Sequence, residues 1–205
     1  MEVLRTSGHD SRAPDLPLHD PGSGYADRVR PAIEAVEDVV EPVIVVGHSQ
    51  SSALGPLVAA ARPTSLVVHL CPRQLGPFEA RPDAPRPFRD GIPMPRASED
   101  GTSSWDPDTA VGVMYPRLPA DTAKALAQRL LPMAMPADDY PLPEYPDVPA
   151  ALIYCADDEF FEPDWERFMA REQLGVEPIE LPGGHFPMVE DPERLAEVLD
   201  RLARA

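Results

Sequence analysis

At 205 residues, 43% of them hydrophobic and 26% charged, the chain is long enough for one domain with a real core. Its 35 acidic residues against 18 basic ones give a net charge of −17, a surface that phosphate backbones repel, so nucleic acid is not expected as a partner. No apolar run reaches the roughly 18 residues of a membrane span, and the opening residues lack the basic flank and apolar centre of a signal peptide. A cytoplasmic protein that does not engage membranes is the expectation. The basic residues are all Arg except Lys124, a coding bias rather than a function.

Taken in chain order, Ser11 to Leu16 is a weak strand candidate, since Pro14 and Pro17 restrict its ladder bonding. Tyr25, Val29, Ile33, Val36 and Val40 keep helical spacing, with Pro31 starting, kinking or breaking that helix. Pro42 to Val46 is a continuous apolar run, expected as a parallel strand covered on both faces, and a helix over Gln50 to Ala61 follows it directly. Ser65 to Leu70 and Ala150 to Tyr154 repeat the strand pattern. Between them, residues 77–146 hold 14 of the 28 prolines, and only Leu118 to Leu131 reads clearly as helix. Such an irregular insertion is what an active-site lid looks like, here within a single domain spanning 1–205. Pro163 to Leu174 reads as a helix stopped by Gly175, and Val176 to Leu181 alternates around Pro178 as an edge strand does. Asp191 and Pro192 open a last helix whose apolar stripe is Leu195, Val198, Leu199 and Leu202. Strands alternating with helices define an α/β fold, with a mostly parallel sheet flanked by helices.

The sharpest chemical signal is Val46-Gly47-His48-Ser49-Gln50-Ser51. A strand runs into Gly-x-Ser-x-small and then a helix, the context of a nucleophile elbow. Ser49 must then adopt a strained turn, and the residues two before and two after must be small. A serine hydroxyl needs a base, and the base needs an orienting partner. His185 ends the loop Pro182-Gly183-Gly184-His185 after one strand, and Asp157 and Asp158 follow another, giving the order Ser, Asp, His. His48, at the variable elbow position beside the substrate site, reads as packing more than catalysis. Trp105 and Tyr115, with Met133 and Met135, are candidates to line an acyl pocket, although ordinary lid packing explains them as well. His9, His19 and His69 lack neighbours at ligand spacing, so no metal is expected. Cys71 and Cys155, too far apart for a zinc motif, read as buried free thiols.

From about Leu4 onward the chain resembles the α/β-hydrolase superfamily, in the branch of bacterial hydrolases related to plant methylesterases and hydroxynitrile lyases. The stretches that carry the resemblance are Gly8-His9, Ala13 to Pro17, Val46 to Ser49, Asp158-Glu159-Phe160-Phe161 and Gly183-Gly184-His185. It implies a cofactor-free serine hydrolase of a small ester, thioester or lactone. Ser49 would be the nucleophile, His185 the base, Asp158 rather than a solvated Asp157 the acid, and the Gln50 N–H an oxyanion donor. Hydroxynitrile lyases of this branch place a lysine after the histidine, where this chain has Phe186, which disfavours the lyase alternative. The branch also begins with a central strand ending in His-Gly, which supplies a second oxyanion donor. Leu4 to His9 matches the helix after that strand, so an N-terminally truncated fold, weakened activity or a non-catalytic binding remnant is a further expectation.

Overall fold

The computed structural model describes residues 1–78 and 81–204. A short helix α1 (Glu2–Thr6) leads through an extended stretch to α2 (Tyr25–Glu34). β1 (Val43–His48) follows, then a 3-10 segment (Ser49–Leu54) continued by α3 (Gly55–Ala61), then β2 (Thr64–Leu70). The insertion holds β3 (Arg96–Ala97), β4 (Thr102–Ser104), α4 (Pro107–Met114), α5 (Ala120–Ala127) and β5 (Met133–Ala134). β6 (Ala150–Cys155), α6 (Pro163–Phe168) with a π segment (Met169–Gln173), β7 (Ile179–Leu181), α7 (Pro187–Glu190) and α8 (Pro192–Ala203) complete the chain.

The main sheet is parallel throughout, in the order β1-β2-β6-β7. Its register sets His48 beside Leu70, Leu70 beside Ile153 and Cys155 beside Leu181, so the loops after β1, β6 and β7 emerge from one end of the sheet. Burial explains the continuous apolar runs of β2 and β6, where Val67, Val68, Leu152 and Ile153 have no exposed surface; β1, expected to be covered on both faces, is instead the sheet edge, only partly buried, with Val46 42% exposed. α8 covers one face through Leu195 and Val198, with Leu199 and Leu202 at its margin. Against the other face lie α2 and α3, joined by Leu54, Leu57 and Val58. As expected, Asp191 caps α8 by accepting from the Arg194 N–H, with Pro192 in its first turn.

Several elements differ from expectation. Ser11 to Leu16 forms no strand: the outer edge of β1 has no ladder partner among the described residues, and Leu16 packs on the α2–α3 cluster instead. The α2 helix stops at Glu34 rather than reaching Val40. Arg62 Nη2 takes the carbonyls of Val36 (2.9 Å) and Val39 (2.7 Å), ending the ladder there, and Val40 is left exposed. The helix after β1 starts as a tight 3-10 turn because the Ser52 hydroxyl donates to the Gly47 carbonyl at 2.7 Å, pulling the first turn onto the strand. The Pro163–Leu174 helix relaxes into the π segment after Phe168, and Gly175 ends it at φ +68°.

Within the insertion, α5 is shorter than Leu118–Leu131, and α4 was not expected. Asp106 accepts from the Thr109 N–H at 3.0 Å, with Pro107 opening α4, a cap-and-proline signal inside a proline-rich stretch. α4 and α5 pack through Ala110, Val113, Met114 and Ala123 on Phe160 and Phe161, the pair that follows Asp158.

Candidate active site

Ser49 has φ +51°, a conformation L-residues rarely hold and the strain expected of an elbow. Gly47 permits it: a Cβ there would sit 2.7 Å from the Ser52 Cα and 3.0 Å from the Ser51 carbonyl oxygen, so only glycine lets strand and helix meet. Ser51 fits because its hydroxyl is used, donating to the His48 carbonyl at 2.8 Å and accepting from the His48 N–H at 3.2 Å. The Gln50 amide lies in the first turn of the 3-10 segment, where a backbone N–H has no helical acceptor. Its side chain is occupied elsewhere, donating to the Ala134 carbonyl at 3.0 Å.

The three predicted residues meet. His185 Nε2 lies 3.0 Å from Ser49 Oγ, and His185 Nδ1 lies 2.7 Å from Asp158 Oδ2. Asp158 is fully buried, and its Oδ1 accepts from the Phe160 N–H (2.7 Å) and the Phe161 N–H (3.2 Å). Burial pushes this carboxyl up, but His185 and the two backbone donors outweigh it and hold the pKa below the ordinary carboxylate value. An ionised Asp158 accepts at both oxygens, so Nδ1 carries the imidazole proton and Nε2 is free to accept from the Ser49 hydroxyl.

The His185 loop is held at three points that spacing does not reveal. His48 Nε2 donates to the His185 carbonyl at 2.7 Å, and the two rings lie 4.9 Å apart, so His48 braces the loop from beneath. Burial, then the neighbouring His185, lowers the His48 pKa to about 3, keeping it neutral. Asp157 is more than a solvated neighbour: its Oδ2 accepts from the Gly183 N–H (3.2 Å) and from Arg117 Nη1 (2.9 Å). Glu190 accepts from the Gly184 N–H at 2.8 Å, with Arg117 Nε 3.5 Å from the same carboxylate. A Cβ on Gly184 would fall 2.6 Å from the Glu190 carboxylate, so that side chain would have to shift to admit one. Arg89 Nε donates to the Asp158 carbonyl, so two arginines of the insertion, Arg89 and Arg117, grip the acid turn. The sequence signals little of this, because every partner except Glu190, six residues on from Gly184, is remote in the chain.

Trp105 and Tyr115 lie one layer behind His185. Trp105 meets Phe160 edge-on at 5.6 Å, and Tyr115 packs on Phe186 at 4.8 Å. Phe160, Phe161 and Phe186 in turn stand edge-on around the His185 ring. Both cysteines are free and buried. The Cys71 sulfur, an Asp158 oxygen and a His185 nitrogen fall within 4.8 Å of one another, but both His185 nitrogens already serve Asp158 and Ser49. A cavity of about 550 Å³ beside Leu16, Asp20, Ser23 and Arg30 is lined by none of Ser49, Asp158 and His185.

A parallel sheet with a strained serine after β1 and an Asp–His pair on the loops after β6 and β7 is the arrangement of the α/β-hydrolase class. Residues 2–198 match the model of the alpha/beta hydrolase family, and the chain belongs to that family. Among solved structures it is similar to a histidine-to-alanine mutant of polyneuridine aldehyde esterase, at TM-score 0.77 and 17% identity over 98% of this chain and 91% of the other. It is similar also to a methylesterase from Arabidopsis (TM-score 0.76, 18% identity, 99% and 90% covered). A pyrethroid hydrolase is a third likeness (TM-score 0.75, 19% identity, 100% and 90% covered). No curated protein matches the sequence.

Proposed function

We propose that the chain is a serine hydrolase acting on a carboxylic ester, thioester or lactone of a small molecule. The observation that carries this reading is the unbroken chain from Ser49 Oγ through His185 to Asp158, with contacts of 3.0 and 2.7 Å. Ser49 Oγ attacks the carbonyl carbon while His185 Nε2 takes its proton, and Asp158 supports the imidazolium. The Gln50 N–H holds the oxyanion. Collapse breaks the bond to the leaving oxygen or sulfur, which receives the proton from His185, and water then cleaves the acyl-Ser49 ester by the same steps. The named esterases and hydrolase of like fold support the reaction class. Residues 77–146 act as its cap, supplying the aromatic wall behind His185. No metal or cofactor enters this scheme.

With one backbone donor assigned to the oxyanion, the reading includes a slow turnover, since losing a donor typically costs about 10²–10³ in rate. A fluorophosphonate probe should label the wild type at Ser49, and Ser49→Ala should lose both labelling and hydrolysis of a p-nitrophenyl ester. Asp158→Asn should cut hydrolysis by orders of magnitude through the wrong imidazole tautomer, with Asp157→Asn far milder. Labelling of the alanine variant would overturn the nucleophile, and the reverse ranking of the aspartates would overturn the acid.

A further inference from the structure

His185 lies in neither helix nor strand, so its place is set by the loop that carries it. Two successive N–H groups of that loop meet carboxylates: Gly183 donates to Asp157 Oδ2 at 3.2 Å and Gly184 to Glu190 Oε2 at 2.8 Å. Asp157, in the turn after β6, holds Gly183 twice, since its own N–H donates to the Gly183 carbonyl at 3.0 Å. Glu190 ends α7 and folds back on the loop, so His185 sits inside the turn that the Gly184–Glu190 bond closes. The carboxylate rests directly against that turn: a Cβ on Gly183 would lie 3.1 Å from Glu190 Oε2.

Two carboxylates on one loop repel each other, and one of them is shielded. The Glu190 side chain is 6% exposed, and its Oε1 has no hydrogen-bond partner among the described residues. One cation of the insertion answers both. Arg117 places Nη1 2.9 Å from Asp157 Oδ2 and Nε 3.5 Å from Glu190 Oε2, and among the described residues no other cation pairs with either. Arg117 is fixed in the tight turn between α4 and α5, where the Leu118 N–H donates to the Tyr115 carbonyl at 3.2 Å. Tyr115 packs at 4.8 Å on Phe186, the residue after the base. A single turn of the insertion therefore bears on the loop from both sides of His185. Without the guanidinium, Glu190 is a shielded charge with one backbone donor and a like-charged neighbour, better solvated away from the loop. The Gly184 N–H then loses its acceptor, and His185 Nε2 loses its 3.0 Å approach to Ser49 Oγ, on which proton transfer depends.

We propose that Arg117 is a positioning residue for the base: by bridging Asp157 and Glu190 it seats the insertion on the His185 loop and keeps His185 in line with Ser49. This role rests on the serine-hydrolase reading above and deepens it, because the insertion then sets the geometry of the base as well as walling the site.

The test is steady-state hydrolysis of p-nitrophenyl butyrate by Arg117→Met and Arg117→Lys. Misalignment of the base should lower kcat by about tenfold in the Met variant with KM little changed. Arg117→Lys should recover part of the loss, since it restores the charge without the planar fork. Arg117 is half-exposed, so neither change opens the core, and the melting temperature of each variant checks its fold. In a Glu190→Gln background Arg117→Met should cost much less than in the wild type, because the two residues act through one contact. A kcat unmoved by Arg117→Met, losses that simply add, or a loss confined to KM overturns the proposal. A second readout needs no turnover: the low-field proton NMR signal of the His185 Nδ1–H bonded to Asp158, assigned by its absence in Asp158→Asn. It should broaden in Arg117→Met and sharpen again in Arg117→Lys, and an unaltered signal overturns the proposal whatever the rates. A wild type that hydrolyses no ester, yet whose signal depends on Arg117, sinks the hydrolase reading alone and leaves the positioning role standing.

Discussion

Glu166 is fully buried in α6, and neither carboxyl oxygen has a hydrogen-bond partner among the described residues. Burial, then the nearby Asp158 and Cys155, push its pKa well above the ordinary carboxyl value, so it stays protonated. A raised folded-state pKa gives stability that is fully present below the unfolded value, about 4.5, and is lost as pH climbs toward the folded one. Glu166→Gln keeps the shape and cannot ionise. Its stability should therefore gain on that of the wild type as pH rises from 5 to 8, by at most about 1.4 kcal/mol per pH unit, and its melting temperature should rise relative to the wild type in step. Differential scanning calorimetry at matched ionic strength checks this, and a variant less stable throughout would mean that the carboxyl has a partner of its own. His69 works in the opposite sense. Burial lowers its pKa to about 3, so its stability is complete above about 6.5 and is lost as pH falls toward 3. His48 adds to that acid loss, but it keeps part of its surface exposed, so its share is smaller.

The insertion is built as two unequal halves. Its second half is pinned to the base: Arg28 holds the carbonyls of Ala134 and Met135 at 2.9 and 3.0 Å, the Ala134 N–H donates to Leu18, and the Tyr140 hydroxyl donates to Ala53 at 2.7 Å. Its first half, around β3 and the turn at Ser98–Gly101, is mostly exposed. Limited trypsin digestion should therefore cut the insertion first at Arg96–Ala97, giving fragments 1–96 and 97–205. Arg117 is held by Asp157 and Glu190, so earlier cutting there, or at Arg129, would refute the division. The same contrast explains what the sequence could and could not reveal. Ser65–Leu70 and Ala150–Tyr154 were legible because a strand buried on both faces leaves an unbroken apolar run, and Pro42–Val46 carries the same run although it forms the sheet edge and leaves Val46 exposed. Ser11–Leu16 was misread because a strand needs a neighbour, and composition does not report neighbours. α4 was hidden by the prolines around it, although Asp106-Pro107 marks its start. Ser49, Asp158 and His185 were legible because each follows a strand end. Arg117 and Arg89 were not, since their work is done across 40 residues of chain for Arg117 and Asp157 and 69 for Arg89 and Asp158, and Glu190, although only six residues from Gly184, has no spacing signal of its own.

At the scale of the molecule, charge is the least balanced quantity: 35 acidic residues face 18 basic ones. Most ion pairs, such as Arg86–Asp90, Arg171–Glu177 and Arg204–Asp200, join side chains that are well exposed on at least one partner. Each such pair contributes about 0–1 kcal/mol, and salt weakens it only modestly because the partners are in contact. The excess of 17 negative charges acts over longer distances. In 10 mM salt the screening length is about 30 Å, comparable to a domain, so the surplus carboxylates repel one another across the whole fold; at 150 mM it is about 8 Å, and that repulsion is largely gone. Unfolding spreads the charges apart, so low salt favours the unfolded chain. Two effects compete, and the repulsion wins here because it sums over many distant pairs whereas the ion pairs are few, local and weak. Raising NaCl from 10 to 150 mM at pH 7 should therefore lift the melting temperature, by about 2–4 °C for each kcal/mol of relief in a domain of this size. KCl should act equally, because screening depends on ionic strength and not on the identity of the cation. A melting temperature that falls with salt would show that the surface ion pairs outweigh the surplus charge.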